Sequence, residues 1–439
     1  MISKTQAKNS LFHKLKMFLL VVGIFVLGAL STLFEHNDQT YVKLIGQKVK
    51  QTLISDSLAK DLQNSIISSS RYELKVSEQF KISGEYQLAI DSGQNLYALD
   101  RHSGELYQFK NSYLHKAKLI RNLYADLNLP IDQVGLQPPL AMDIHIAFDQ
   151  LFLSAVLQGI DCHYLALIKT NLKNTNQPPH IFFKTPCVSD QENPVMWGGR
   201  FTSNHNQLFI SVGEQRFDRS GFPKANLLVQ NKLSKNVFGS VIQFDRSLSS
   251  WQIFAKGMRN AQGLYWDPET KTLFESEHGP NGGDEINILE KGNNYGWPLE
   301  TFGKPYKEKF PSLEEEINLA RDPRLGVDKA LIEFGAKSGL HENFSKPIFS
   351  WIPGVGAGSI LKIPTTSPLL DWRGDLLVAH MGTNQLHRLR IVEDQIILDE
   401  EILIGFRIRD MIVDKNGFIY LALDEGMLIK LSTFDSIKY

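Results

Sequence analysis

Residues 414–423 read DKNGFIYLAL: a polar turn that runs straight into a short apolar strand. The same phrase recurs upstream as DSGQNLYALD at 91, AFDQLFLSAV at 147, NHNQLFISVG at 204, PETKTLFESE at 268 and WRGDLLVAHM at 372. A second strand pattern follows each copy: Glu105–Phe109, Tyr164–Ile168, Ser240–Phe244, Glu285–Leu289, Gln385–Leu389 and Met427–Leu431. With Leu96, Leu151, Leu208, Leu273, Leu376 and Ile419 taken as equivalent, the spacings are 55, 57, 65, 103 and 43 residues. Six strand-turn-strand units of this size predict an all-β, six-bladed β-propeller over residues 73–439, with an insertion between about Lys304 and Ser345 in the long interval. One small sheet cannot bury both of its faces, whereas blades packed in a ring can.

Working outward, the N-terminal residues follow different patterns. Residues 17–34, MFLLVVGIFVLGALSTLF, carry no charge and are long enough to span a bilayer as a helix. Lys4, Lys8, Lys14 and Lys16 precede them and Glu35 and Asp38 follow. This charge step predicts a cytoplasmic head over residues 1–16 and an exported body. The rival reading is a cleaved signal with Ala29 and Ser31 before the cut, and it exports the same body. Residues 35–72 carry a helical stripe: Tyr41, Ile45, Val49 and Leu53, then Ile54, Leu58, Leu62 and Ile66. They predict an amphipathic helix packed on the body, with a stalk or a partner-binding helix as the alternatives.

The composition narrows the function. The 47 Lys and Arg against 48 Asp and Glu leave a net charge of -1, which gives no electrostatic case for a nucleic-acid partner. The 42% of hydrophobic residues suffice for a large core. The two cysteines, Cys162 and Cys187, cannot make a four-thiolate zinc site. They fall at one end of two neighbouring strand patterns, so in an oxidising exterior they are expected to bond; two separate thiols are the alternative.

The segment that carries chemistry is Gly257–Pro298, GMRNAQGLYWDPETKTLFESEHGPNGGDEINILEKGNNYGWP. Gly279 and Pro280 form a tight loop whose main-chain carbonyls can point outward, and Asp284 and Glu285 bring carboxylates to it. Such hard oxygen donors suit Ca2+. Arg259 and Asn260 precede the same strand pair and suit an anionic, carbonyl-rich ligand.

This segment resembles the soluble aldose sugar dehydrogenases that use pyrroloquinoline quinone, the glucose/sorbosone dehydrogenase family. The shared phrases are RN-x-QGL, EHGP-x-GGDEIN and NYGWP, in that order and spacing, with Gly198-Gly199-Arg200 and Phe406-Arg407-Ile408-Arg409-Asp410 as weaker ones. The resemblance implies a six-bladed propeller that oxidises a sugar by hydride transfer to the quinone. It implies that Arg259, Asn260, Arg407 and Arg409 hold the quinone and that Arg259 also polarises it. It further implies that the Gly279 and Pro280 carbonyls bind Ca2+, with Asp284 and Tyr295 supporting that loop. In the family a His two residues before Gly-Gly-Arg is the base, and here that position is Met196. Gly382 stands where the family usually has a Lys or Arg, and the family's early Gln motif is not evident near Val134–Ala141. Two functions follow: a membrane-anchored, exported sugar dehydrogenase, or a propeller without oxidation that binds a carbohydrate, an envelope polymer or a protein.

Overall fold

The structure is a computed structural model that describes Leu62 and residues 65–433, except 70–71, 82–83, 128–138, 173, 175–176, 190–194, 215–236, 298–299, 304–340 and 342. Within these residues the chain folds as six antiparallel sheets. The outermost strands of one sheet are β1 (Ile66–Ser68) and β2 (Glu73–Lys81). Blade 1 is β3 (Tyr86–Ile90), β4 (Leu96–Asp100), β5 (Glu105–Phe109) and β6 (Ala117–Asn122). Blade 2 is β7 (Leu140–Ala147), β8 (Gln150–Gly159), β9 (Cys162–Thr170) and β10 (His180–Lys184), with β11 (Val188–Ser189) also paired to β9. Blade 3 is β12 (Gly198–Ser203), β13 (Gln207–Val212), β14 (Ser240–Asp245) and β15 (Trp251–Lys256). Blade 4 is β16 (Ala261–Asp267), β17 (Thr272–Glu277), β18 (Asp284–Leu289) and β19 (Phe349–Trp351). Blade 5 is β20 (Ala357–Lys362), β21 (Leu376–His380), β22 (Gln385–Val392) and β23 (Gln395–Leu403). Blade 6 takes β24 (Ile408–Val413), β25 (Ile419–Leu423) and β26 (Met427–Thr433) from the C-terminal end and is completed by β2 and β1.

The inner strands β3, β7, β12, β16, β20 and β24 each pack on the next, and β24 packs back on β3, so the ring is closed. The six equivalent residues of the sequence repeat all lie on the second strand of a blade and all are buried. Burying each such side chain stabilises the fold by about 1.5–3 kcal/mol. In four of the six blades the polar turn before them is built by one side chain. Asp91 Oδ1 accepts from Asn95 N at 2.8 Å, Asn204 Oδ1 from Asn206 N at 2.9 Å, Asp267 Oδ1 from Glu269 N at 3.0 Å and Asp414 Oδ1 from Asn416 N at 2.9 Å. A short acceptor that folds back on its own backbone turns the chain and frees the next residues to enter the sheet.

The helix expected over residues 35–72 is corrected at its end, because Ile66–Ser68 is a strand paired with Glu73–Lys75. The physical reason is the edge of β26, which three C-terminal strands leave open. β2 covers it by antiparallel pairing, from Leu74 opposite Thr433 to Lys81 opposite Met427, and buries Leu74 and Val76. The rest of that segment and the apolar run 17–34 lie outside the described residues. Among those described, no helix is long and apolar enough to cross a membrane. Most of the insertion after Lys304 also lies outside them. The expected disulfide is present: Cys162 and Cys187 are bonded, with Cα atoms 5.6 Å apart.

One side chain spans the centre of the ring. Arg200, on β12, reaches across to Gln87 of β3 at 2.5 Å, Ser359 of β20 at 3.1 Å, Asp143 of β7 at 3.5 Å and Asp410 of β24. Five inner strands thus meet on one buried guanidinium, whose planar fork of donors can serve several acceptors at once. Gly199 beside it has φ +87°, and a Cβ there would meet Met142 at 2.5 Å.

Candidate functional site

At one end of the ring, Arg259 and Asn260 enter β16 beside the loop that joins β17 to β18. Ala261 pairs with Glu277, and His278 N donates to Asn260 O at 3.1 Å. The loop is held from below by Asp284. Its carboxylate accepts from Gly279 N at 3.0 Å and from Val355, Gly356 and Ala357 N at 2.9, 2.5 and 3.1 Å, which ties blade 4 to blade 5. Gly279 must be glycine here, since a Cβ would lie 2.2 Å from Gly283 O. Arg259 is fully buried. Its guanidinium donates to His278 O at 2.8 Å and Gly279 O at 2.7 Å and lies 5.5 Å from the Trp297 ring. Tyr295 donates its hydroxyl to Ile288 O at 2.5 Å and braces β18.

Beneath the loop lies a patch of carboxyls in which Glu285, expected from the sequence, is joined by Glu275 and Glu277, which were not. Glu275 faces Asn287 and Glu277 faces Glu285 across β17 and β18, so all four share one face of the pair. The strict alternation E-S-E opposite E-I-N was the available signal. Burial raises Glu277 to about 7, although the Arg259 and Asn260 amides that it accepts at 2.5 and 3.2 Å pull the other way. Burial and the neighbouring carboxyls push Glu275 and Glu285 well up. Glu275 Oε1 has no hydrogen-bond partner among the described residues. A cavity of about 10 Å³, room for one small ion or water, is lined by Glu277, Glu285, Gly279, Arg259 and Tyr295. No three acidic, His or Cys side chains converge into a metal cage among the described residues. The donor set beside the cavity is instead carboxylate with main-chain carbonyl, which fits Ca2+.

Arg407 and Arg409 stand at the start of β24 at the same end of the ring. Met381, next to the end of β21, joins them: its Sδ is 3.9 Å from Arg407 and 3.5 Å from Arg409. Met381 N donates to Gly356 O, and Gly356 N donates to Asp284, so one bonded path links the late arginines to the Gly279 loop. Arg409 is clamped by Asp424 through two bonds of 2.7 Å and lies 3.4 Å from Glu85. Arg407 also meets Asp424, at 3.1 Å, but is 49% exposed, which leaves it open to a ligand. Burial lowers His278 to about 4; Asp284 opposes this, and Arg259 and Arg407 add to it. The counter-ions Asp424 and Glu85 carried no motif and escaped sequence reading.

Met196 precedes β12 at this end too. Gly198 N, two residues on, donates to Asn260 Oδ1 at 3.3 Å. Gly382 N donates to Val355 O at 2.9 Å, where blade 5 meets the Asp284 clasp. Of Val134–Ala141, residues up to 138 lie outside those described.

The family model for glucose/sorbosone dehydrogenases matches residues 161–430. The chain is 30% identical over 270 residues to the aldose sugar dehydrogenase YliI of Escherichia coli, covering 57% of this chain and 63% of that one. It is 31% identical over 185 residues to an uncharacterised protein of Synechocystis, slr1608, covering 42% and 39%. The chain thus spans less than two thirds of the length of either relative. The fold of the soluble aldose sugar dehydrogenase of Escherichia coli superposes with a TM-score of 0.62 at 21% identity, over 83% of this chain and 99% of that one. A PQQ-bound aldose sugar dehydrogenase of Streptomyces coelicolor superposes at 0.53 and 15% identity, over 84% and 100%. With a family match over more than half its length, the chain belongs to the glucose/sorbosone dehydrogenase family.

Proposed function

We propose that this chain is an exported, membrane-anchored sugar dehydrogenase that works with pyrroloquinoline quinone and Ca2+. The observation that carries the reading is that Arg259 bonds the His278 and Gly279 carbonyls while a bonded path from the Gly279 loop through Asp284, Gly356 and Met381 reaches Arg407 and Arg409 at the same end of the ring. When bound, the quinone supplies the two-electron acceptor for a sugar C–H bond. The half-exposed Arg407 would pair with a carboxylate of the cofactor, and Arg409, clamped by Asp424, would keep that edge cationic. Asn260 would offer its amide. Arg259 would act by aiming the loop: its bonds to His278 O and Gly279 O set where those carbonyls point. Gly279 O and Pro280 O, with Glu277 and Glu285 below, would hold the Ca2+, and Asp284 and Tyr295 would fix the loop that carries them. Met196 holds the place where the family pattern has its base. A thioether takes no proton at neutral pH, so the sugar hydroxyl loses its proton without that help and turnover is slow.

The Cys162–Cys187 bond supports an oxidising compartment, and the charge step around residues 17–34 supports an anchored body with residues 1–16 in the cytoplasm. A second reading is favoured by Met196 and Gly382: a propeller without oxidation that binds a carbohydrate, an envelope polymer or a protein. Reconstitution of the purified chain with Ca2+ and the quinone decides between them. Absorbance reports binding, and dye-coupled assays over a sugar panel report oxidation. Quinone binding with slow aldose oxidation is expected, and absence of quinone binding leaves the second reading.

A further inference from the structure

The opposite end of the ring holds a cavity of about 990 Å³ framed by the polar turns of blades 1 to 4. That volume is at the upper end of small-ligand sites. A second cavity of about 390 Å³ adjoins it over blade 3 and shares Asn206 and Gln207. Together they form a groove that leads from the channel mouth toward Trp251, which is 45% exposed. Phe148 and Trp266 border the first part; Trp251 borders the second, above the buried Phe244.

The turns of this end are strained. Phe148 and Asp149 fill the two-residue turn between β7 and β8 at φ +53° and +59°, and Lys271 has φ +59° in the turn between β16 and β17. Such turns ask for Asn and Gly, and a bulky residue there is an outlier. Each of these side chains borders the cavity. Phe148 is further fixed by the Arg246 guanidinium, 5.2 Å from its ring.

The chemistry of the lining selects the ligand. Asp91 and Asp149 balance Arg246 and Lys271, so the groove gives no preference for a polyanion. Flat aromatic surfaces alternate with amides and a hydroxyl: Asn95, Tyr97, Asn204, Asn206 and Gln207. Asn204 Nδ2 donates to Gln207 Oε1 at 2.8 Å and Gln108 Nε2 to Tyr97 Oη at 2.7 Å, which sets their orientation in advance. Aromatic faces for the C–H side of a pyranose, and oriented amides for its hydroxyls, make a surface for sugar rings in series. We propose that this groove is a second site, distinct from the arginine cleft, that binds a neutral oligosaccharide chain. It does not rest on the quinone reading, because its lining shares no residue with the arginine cleft.

The test is calorimetric titration of the full chain, without quinone or Ca2+, with maltohexaose, cellohexaose, laminarihexaose and xylohexaose, and with dextran sulfate as the anionic control. At least one hexaose is expected to bind and dextran sulfate is not. Trp251→Ala should weaken that hexaose about tenfold. Because Trp251 also packs on Phe183, Asn206→Ala serves as a second, fully exposed variant and should weaken it as well. Arg407→Ala should leave it unchanged. The proposal is overturned if no hexaose binds, if both groove variants bind like the wild type, or if Arg407→Ala removes the binding.

Discussion

Arg259 and Arg407 hold equivalent places, each at the entry of an inner strand at the same end of the ring, and they do different work. Arg259 is buried, bonded to two carbonyls of its own loop and packed by Trp297. Arg407 is half exposed, with one carboxylate and one thioether for company. A motif that reads as two ligand-binding arginines divides in the fold into one that builds the site and one that faces what enters it. The largest expected effect breaks or keeps this distinction directly. Arg259→Ala leaves two buried carbonyls and the nearby Glu277 without their cation. It should cost about 3–5 kcal/mol of unfolding free energy, read by urea denaturation. A loss below about 1 kcal/mol would remove Arg259 from the framework.

The carboxyls under the same loop give the next effect. Glu277 is raised from 4.5 to about 7 by burial. Between those values the folded chain holds a proton that the unfolded chain has released, so stability falls as pH rises through the window. At about 1.4 kcal/mol per tenfold change in proton affinity, the loss from Glu277 is about 3 kcal/mol by pH 8, and Glu275 and Glu285 act in the same direction. Calcium-free protein should therefore melt at a lower temperature at pH 8 than at pH 5. Glu277→Gln should flatten that dependence, and added Ca2+ should shrink it by holding the carboxylates ionised. A melting temperature that climbs from pH 5 to pH 8 in chelator would show that these carboxyls are not held neutral by the fold.

Met196 tests the boundary between the framework and the ligand side, since Gly198, two residues on, donates its N–H to Asn260 Oδ1. Met196→His should raise dye-coupled sugar oxidation by about 10² with quinone and Ca2+ supplied, the lower end of what a general base contributes. An unchanged rate together with unchanged quinone binding would take position 196 out of the chemistry.

The difference between the two arginines also explains what could be read from sequence. The blades were legible because a turn that starts with Asp or Asn and a strand with a buried Leu repeat as a local pattern, from Asp91 and Leu96 to Asp414 and Ile419. The closure of the ring by β2 was not, because it depends on pairing between residues more than 300 apart, such as Leu74 with Thr433. The Gly279 loop was legible as a string of glycines and carboxylates. The burial of Arg259, the Asp424 clamp on Arg409 and the reach of Arg200 over five strands depend on which blades become neighbours. No local pattern carries that information.

Arg407 gives the smallest effect on the fold and the cleanest on the ligand. Its partial exposure and its partly solvated pair with Asp424 mean that Arg407→Ala should move unfolding free energy by no more than about 0.5 kcal/mol. The same change removes a half-exposed cation at the cleft. Quinone affinity measured by calorimetry with Ca2+ should fall about tenfold or more, since a charge-assisted hydrogen bond to a carboxylate contributes about 1.5–3 kcal/mol. Asp424→Asn should act in the opposite direction, because it releases both Arg407 and Arg409 from a competing carboxylate. If Arg407→Ala and Asp424→Asn shift the affinity the same way, the pair acts as a unit of the framework, and the contrast with Arg259 fails.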